Sequence, residues 1–208
     1  MEVIMRIADR IQCIDFPCTE ARKESYLIPN VDLNPAEIKL ILISETSPTD
    51  LKDHYYASSE ALFARTTLQA FQEAGLSVVS IPELLHKGIY LTTAVKCGKN
   101  EYAVATDTII HCSLLLEREI ALFPNLKAFL LMGDVAIKAL NSIARRQGEP
   151  RVIPAGSTYK IRGGEFTFHG LPAFPSYLQA GPSFGIEKSK QRMIAQDISA
   201  ALKIAEII

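Results

Sequence analysis

Residues 38–43 read IKLILI, a nearly unbroken apolar run that decides the fold class. Such a run is typical of a β-strand buried on both faces, as strands of parallel sheets are. Residues 126–132 (LKAFLLM) predict a second strand of this kind, and the segment 89–95 (IYLTTAV) predicts a third. Residues 77–80 and 171–175 are predicted to be two shorter extended segments.

Helical patterns alternate with these strands. We predict helices at residues 1–11, 59–74, 107–123, 134–145 and 187–207. A hairpin is also predicted, between residues 158–161 and 165–169 across Gly163-Gly164. Strands that alternate with helices indicate an α/β fold, here a three-layer sandwich around a central, mostly parallel sheet. Ligands of such sheets bind beyond the carboxyl ends of the strands.

The composition describes an ordinary globular domain. The chain has 208 residues, 22 basic and 23 acidic side chains and 48% hydrophobic residues. We therefore expect one domain over residues 1–208, with no interdomain linker. Neither a signal peptide nor an apolar run of about 20 residues is recognisable, so we expect a cytoplasmic protein without membrane contact. We also expect a monomer. The balanced charge excludes a strongly polybasic nucleic-acid binder, and any DNA contact has to come from a local patch.

Four cysteines, Cys13, Cys18, Cys97 and Cys112, are spaced C-x4-C and then C-x14-C after a long gap. In a cytosolic protein, four thiols that converge are more typical of a metal or cluster site than of disulfides. These intervals are not those of zinc fingers, however. The alternative is that the cysteines are small buried hydrophobic residues.

The surroundings of the cysteines resemble a known family. Residues 90–97 read YLTTAVKC, and the segment from Cys112 onward reads CSLLLEREIALFPNLKAFLLMGDVAIKAL. This order is similar to the bacterial and archaeal iron–sulfur uracil-DNA glycosylases, whose strand Y-I-T-N-x-V-K-C precedes a helical C-x-x-x-L-x-x-E-I. Residues 40–50 (LILISETSPTD) resemble the family's first motif, V-G-E-A-P-G, and residues 171–178 (LPAFPSYL) its third, P-T-Y-H-P-S. The resemblance covers nearly the whole chain and implies a uracil-DNA glycosylase-like fold.

The resemblance implies that the four cysteines hold a [4Fe–4S] cluster, because the family places a thiolate at each of these positions. Iron of such clusters is held by sets of four cysteines. Zinc remains the alternative, since it accepts four thiolates as well. The implied role of the cluster is structural.

The resemblance also implies a site that binds a flipped base and cleaves its glycosidic bond. Glu45 matches the acidic residue of the first motif and is the candidate catalytic group, the alternative being a carboxylate that caps local amides. The candidate base-binding residues come from the first motif, the segment that follows it and the K-C strand: Ser44, Thr46, Ser47, Tyr55, Tyr56 and Thr93. Tyr55 or Tyr56 would stack on the base, unless both are surface tyrosines.

Two departures from the family pattern argue against ordinary uracil excision. Thr93 replaces the Asn that reads the base, and a hydroxyl cannot offer the paired donor and acceptor of an amide. The third motif has lost its His, because either Leu178 or Phe174 stands at that position, depending on the register. His54 is a candidate substitute, and His169 is a weaker one.

A further group of residues is predicted to contact DNA. It consists of the third-motif loop and the start of the last helix: Ser176, Tyr177, Leu178, Lys188, Lys190 and Arg192. Leu178 or Phe184 would enter the base stack, and the basic residues would hold phosphates. The alternative for the basic residues is a solvated helix face.

Three hypotheses remain open. The first is a divergent member of the family that binds DNA or a nucleobase and excises a damaged or deaminated base. The second is a non-catalytic cluster protein that binds nucleic acid or a nucleobase. The third is an enzyme on the same scaffold with a different base or nucleoside as substrate.

Overall fold

The computed structural model describes residues 4–100 and 103–208. Within them lie nine strands and six α-helices. The strands are β1 (Met5–Arg6), β2 (Ala21–Arg22), β3 (Asp32–Leu33), β4 (Leu40–Thr46), β5 (Ile89–Val95), β6 (Gly98–Lys99), β7 (Ala128–Met132), β8 (Thr167–Phe168) and β9 (Leu171–Ser176). The helices are α1 (Leu62–Glu73), α2 (Ile81–His86), α3 (Thr106–Ile120), α4 (Asp134–Arg146), α5 (Thr158–Ile161) and α6 (Lys188–Ile204).

Five strands form the central sheet in the order β5-β4-β7-β9-β8. The first four run parallel, and the short β8 is antiparallel to β9. Every residue of β5 and β7 is buried, as the apolar runs of the sequence predict. The parallel α/β sandwich is therefore confirmed, and its carboxyl edge is formed by the ends of β5, β4, β7 and β9.

Two hydrophobic clusters cover the two faces of the sheet. Alternate residues of β4 divide between them, because Ile41 and Ile43 join one cluster and Leu40 and Leu42 the other. Helices α3 and α4 pack on the first face, and α1 and α6 on the second. In the described stretches no helix has the length and apolar character needed to cross a bilayer.

A buried ion pair joins β5 to α3. The Lys96 ammonium lies 2.5 Å from a Glu119 carboxylate oxygen, and both side chains have no exposed surface. Lys96 Nζ also donates to Thr92 Oγ1 and to the Thr93 carbonyl, at 2.7 and 2.6 Å. Tyr90 donates to the other Glu119 oxygen at 2.5 Å. A charge pair in this environment is held by a complete set of hydrogen bonds, as burial requires.

The predicted N-terminal helix is wrong. Residues 1–3 lie outside the described part of the chain, and the segment that follows forms β1 and a 3-10 turn at Ile7–Asp9. Strand β1 pairs with β3, and the Arg6 guanidinium donates twice to the Asp32 carboxylate at 3.0 Å. This pairing with a distant segment competes with helix formation, and no local pattern reveals it.

The predicted hairpin across Gly163-Gly164 is also wrong. Residues 158–161 form the helical turn α5, and the hairpin instead joins β8 to β9 through His169 and Gly170. Both of these residues have a positive φ, 51° and 76°, which is the backbone that a tight two-residue hairpin needs.

Residues 77–80 are not a strand. Ser80 is the N-cap of α2 and accepts a hydrogen bond from the Glu83 amide, while the Glu83 carboxylate accepts one from the Val79 amide. The sequence S-I-P-E carries this signal, a capping box with proline in the first turn.

Lys96→Met should lower the free energy of unfolding by about 3–5 kcal/mol, because it leaves the Glu119 carboxylate buried without its counter-charge. Urea unfolding followed by circular dichroism measures this loss. Lys127→Met is the matched control, since Lys127 pairs with Glu206 at the surface and exposed ion pairs contribute little. Equal losses in the two variants would contradict the importance of the buried pair.

Candidate functional site

The four cysteines all belong to the first hydrophobic cluster or pack against it. Cys97 and Cys112 are buried, Cys13 and Cys18 are half-buried, and all four are free thiols. Burial raises the pKa of Cys97 to about 12, and the thiols of Cys112, Cys18 and Cys13 add to this shift by their charge.

Main-chain contacts hold the cysteine-bearing segments together. The Lys96 amide donates to the Cys112 sulfur at 3.5 Å, so the end of β5 meets α3 at this point. The Cys13 amide donates to the Tyr26 hydroxyl at 2.9 Å. Strand β6, which follows Cys97, pairs with β2. Within residues 4–100 and 103–208 no three Cys, His, Asp or Glu side chains are grouped as ligands of a metal ion.

Glu45 lies near the carboxyl end of β4, against the N-terminus of α4. Its Oε1 atom accepts a hydrogen bond from the Val135 amide at 3.5 Å and would be 2.5 Å from a Cβ atom placed on Gly133. Burial raises the pKa of the carboxyl group, while this amide and the charge of Lys99 oppose the shift. Glu45 thus caps an amide 90 residues away in the chain and is half-buried at the edge where ligands bind.

The tyrosines predicted to stack on a base are occupied by structural contacts. Tyr55 is 1% exposed and donates to Ser44 Oγ at 2.7 Å. The Tyr56 hydroxyl donates to the Leu91 carbonyl and accepts from the Leu91 amide, both at 3.0 Å. Burial raises the pKa of both phenols well above the ordinary value.

Thr93 lies beside Ser44 in the register between β5 and β4, at the carboxyl edge of the sheet. Thr46 is half-buried at the end of β4, and Ser47 is 1% exposed in the loop that follows. The structure therefore brings the predicted base-binding residues to one edge, and their role in binding stays a prediction.

The third-motif loop contributes apolar packing at the same edge. Ser176 is buried and donates to the Asp197 carboxylate at 2.6 Å, so its hydroxyl is engaged inside the domain. Tyr177 and Leu178 are half-buried against the second hydrophobic cluster. Phe184 is only 3% exposed, so Leu178 is the more accessible of the two residues considered for entering a base stack.

The basic residues at the start of α6 lie on the surface. Lys190 forms an ion pair with Glu187 at 2.8 Å and stands 5.5 Å from the centre of the Tyr177 ring. Lys188 and Arg192 line an open cleft of about 850 Å³ along α6.

His169, in the β8–β9 turn, binds Gln147 at 2.6 Å, and both line a second cleft of about 360 Å³. That second cleft also includes Phe129, from the start of β7, and Leu171, from the start of β9, so it lies toward the opposite edge of the sheet.

Buried polar groups without partners are a feature that the sequence pattern does not show. In the described residues they are Ser47 Oγ, both ring nitrogens of His54, and Gln179 Oε1. Ser47 and His54 follow β4, and Gln179 follows β9, so all three residues lie at the carboxyl edge. Such atoms are rare in native proteins, where a water molecule, an ion or a ligand commonly satisfies them.

Comparison with known proteins agrees with this geometry. Residues 31–195 match the family described as the uracil DNA glycosylase superfamily. The chain belongs to the uracil-DNA glycosylase superfamily. It is also similar to a Type-5 uracil-DNA glycosylase of Thermus thermophilus, with 29% identity over 96 residues, which are 44% of this chain and 44% of that protein. The match thus spans less than half of that superfamily member.

Gly133→Ala should destabilise the protein more than Gly148→Ala. Both glycines have a positive φ, 99° and 77°, so each substitution strains the backbone. Only at Gly133 would the new methyl group collide with Glu45, since Gly148 has no neighbouring atom within 4 Å. The difference in free energy of unfolding, measured in urea, reports this contact, and identical losses would argue against it.

Proposed function

We propose that the protein is a DNA glycosylase that hydrolyses the N-glycosidic bond of a damaged or deaminated base, with Glu45 as its catalytic carboxylate. The placement of Glu45 carries this proposal, because it is the half-buried carboxylate that the superfamily motif puts at the carboxyl edge of the sheet. Membership of the superfamily supports DNA as the partner.

The proposed reaction makes definite demands on Glu45. The bond between C1′ and the base nitrogen breaks, the electron pair leaves with the base, and the sugar becomes cationic. A water oxygen then bonds to C1′ and gives its proton to Glu45, and the released base anion takes up a proton from solvent. An ionised Glu45 stabilises the cationic sugar and orients this water. The amide at the N-terminus of α4 fixes the carboxylate and favours its charge.

Glu45→Gln should lower base release by about 10²–10³-fold, the usual cost of removing one oriented charged or hydrogen-bonding group. The measurement uses labelled single-stranded and double-stranded oligonucleotides that carry uracil, hypoxanthine or xanthine. Glu60→Gln, the same change at an exposed position before α1, is the control and should leave the rate unchanged.

The pH profile of the same reaction tests the state of Glu45. Because burial raises its pKa, the carboxylate takes up a proton at a higher pH than an ordinary glutamate does. Base release should therefore fall on acidification at a pH above the usual range of a glutamate carboxyl. Wild-type protein that releases none of the three bases would favour the non-catalytic alternative.

We also propose that Cys13, Cys18, Cys97 and Cys112 hold a [4Fe–4S] cluster, as the resemblance to the iron–sulfur glycosylases implies. The donor set suits such a cluster in its chemistry, since all four cysteines are free thiols and thiolates are the ligands of cluster iron. The described residues do not group three of these thiols as ligands of a metal ion, so the resemblance carries this proposal. When bound, the cluster would crosslink the N-terminal segment to β5 and α3.

Protein purified without oxygen should be brown and contain about four iron and four sulfide per chain. Replacing Cys97 or Cys112 by Ser should abolish the colour, because each removes one of four ligands. Absorbance together with iron, zinc and sulfide analysis measures the outcome. A colourless protein with one zinc per chain would support the alternative metal instead.

The basic residues at the start of α6 complete the proposal. Lys188, Lys190 and Arg192 would contact DNA phosphates, with Leu178 entering the base stack. The open cleft along α6 exposes Lys188 and Arg192, which supports this assignment.

A further inference from the structure

We infer that Gln179 and His54 read the edge of the target base, in place of the Asn and His of the family motifs, whose positions Thr93 and Leu178 occupy in this chain. This inference deepens the proposed function and rests on it, since both place a base at the carboxyl edge of the sheet. Its basis is the set of buried polar atoms that have no partner there.

A directed chain of hydrogen bonds fixes the orientation of the Gln179 amide. The Thr92 carbonyl can only accept, so Ser44 donates to it at 3.3 Å. Tyr55 then donates to Ser44 at 2.7 Å, and the Gln179 NH₂ group donates to Tyr55 at 3.1 Å. The same NH₂ group also lies 3.2 Å from Thr67 Oγ1. The nitrogen is thereby used, and the Gln179 carbonyl oxygen is left as a buried acceptor.

His54 offers the complementary donor. Its side chain is 1% exposed, and its ring packs edge-on against Tyr55 with 5.3 Å between the ring centres. Burial, assisted by the charge of Lys96, lowers its pKa to about 3. The imidazole is therefore neutral at physiological pH and carries one N–H and one bare nitrogen. Neither nitrogen has a partner among the described residues.

Tyr55 brings these two groups together. Its hydroxyl binds Gln179, and its ring contacts His54, so a free acceptor and a free donor both adjoin this one side chain. A base that offers an N–H next to a carbonyl satisfies both. This lactam edge is present in uracil and hypoxanthine, whereas the matching positions of cytosine and adenine carry a bare nitrogen and an amino group.

The enclosure of these groups has a consequence for access. Gln179 has no exposed surface and His54 has almost none. A base therefore reaches them only after the protein around them moves. Ser47, the remaining unpartnered side chain, lies directly after β4.

Two ligands test the inference without any mutation. 1-Methyluracil keeps the N3–H group between its two carbonyls, whereas 1,3-dimethyluracil has the same carbonyls and no N–H group. The full-length protein should bind 1-methyluracil at least about tenfold more tightly in isothermal titration calorimetry, because only this ligand gives Gln179 its missing donor. Equal binding of the two ligands would overturn the inference, as would binding of neither.

Variants then assign the roles. Gln179→Met keeps the side-chain length but has no carbonyl oxygen, so it should reduce the preference for 1-methyluracil to about one. His54→Phe should weaken binding of both ligands about tenfold and keep the ratio of their affinities, because each ligand retains the carbonyl that His54 contacts. Gln69→Met, at an exposed position of α1, is the matched control and should change nothing. A preference that survives in Gln179→Met would contradict the role of Gln179.

Failure of this inference is distinguishable from failure of the proposed function. If the protein releases bases from oligonucleotides but shows no preference for 1-methyluracil, the glycosylase proposal stands and Gln179 is not the reader. If it prefers 1-methyluracil but releases no base, the reading site stands and the proposed hydrolysis is wrong. If Gln179→Met does not fold, the affinity ratio of the two ligands in the wild-type protein and in His54→Phe still decides.

Discussion

The contact between Lys96 and Glu119 is the interaction on which the rest of this structure depends. It joins β5 to α3 inside the first hydrophobic cluster, where an uncompensated charge would be very unfavourable. Each of these elements carries or adjoins a cysteine, because Cys97 follows Lys96 and Cys112 lies on α3. The same pair therefore fixes the position of two thiols, and the Thr93 carbonyl bound to Lys96 ties the candidate base site to it.

The core of the fold could be predicted from the sequence because its signals are local. The apolar runs at residues 38–43 and 126–132 became β4 and β7, since a strand buried on both faces needs little else to define it. The predicted N-terminal helix failed because β1 is held by β3, a partner more than twenty residues away. Local periodicity carries no information about such a pairing.

Some residues of the candidate site could also be predicted from local signals, and others could not. Glu45 and the four cysteines could be named from motifs, because each lies next to a recognisable strand or helix. Gln179 could not, since its importance follows from a hydrogen-bond chain through Tyr55 and Ser44 that leaves one oxygen unused. The spacing of residues in a sequence does not show which atoms lack a hydrogen-bond partner. That becomes visible only when the positions of Ser44, Tyr55 and Gln179 in the folded protein are known.

Tyr56 covers part of the exposed edge of the central sheet, which affects how the protein can associate with other chains. Strand β5 is at the edge of the central sheet, and an open edge is a template on which another chain can add a strand. The Tyr56 hydroxyl occupies both the N–H and the C=O of Leu91 at the middle of that edge, and the Leu27 amide takes the Lys96 carbonyl further along. The Tyr56 side chain thus occupies main-chain groups that an added strand would otherwise bind, which protects the β5 edge of the sheet against edge-to-edge aggregation.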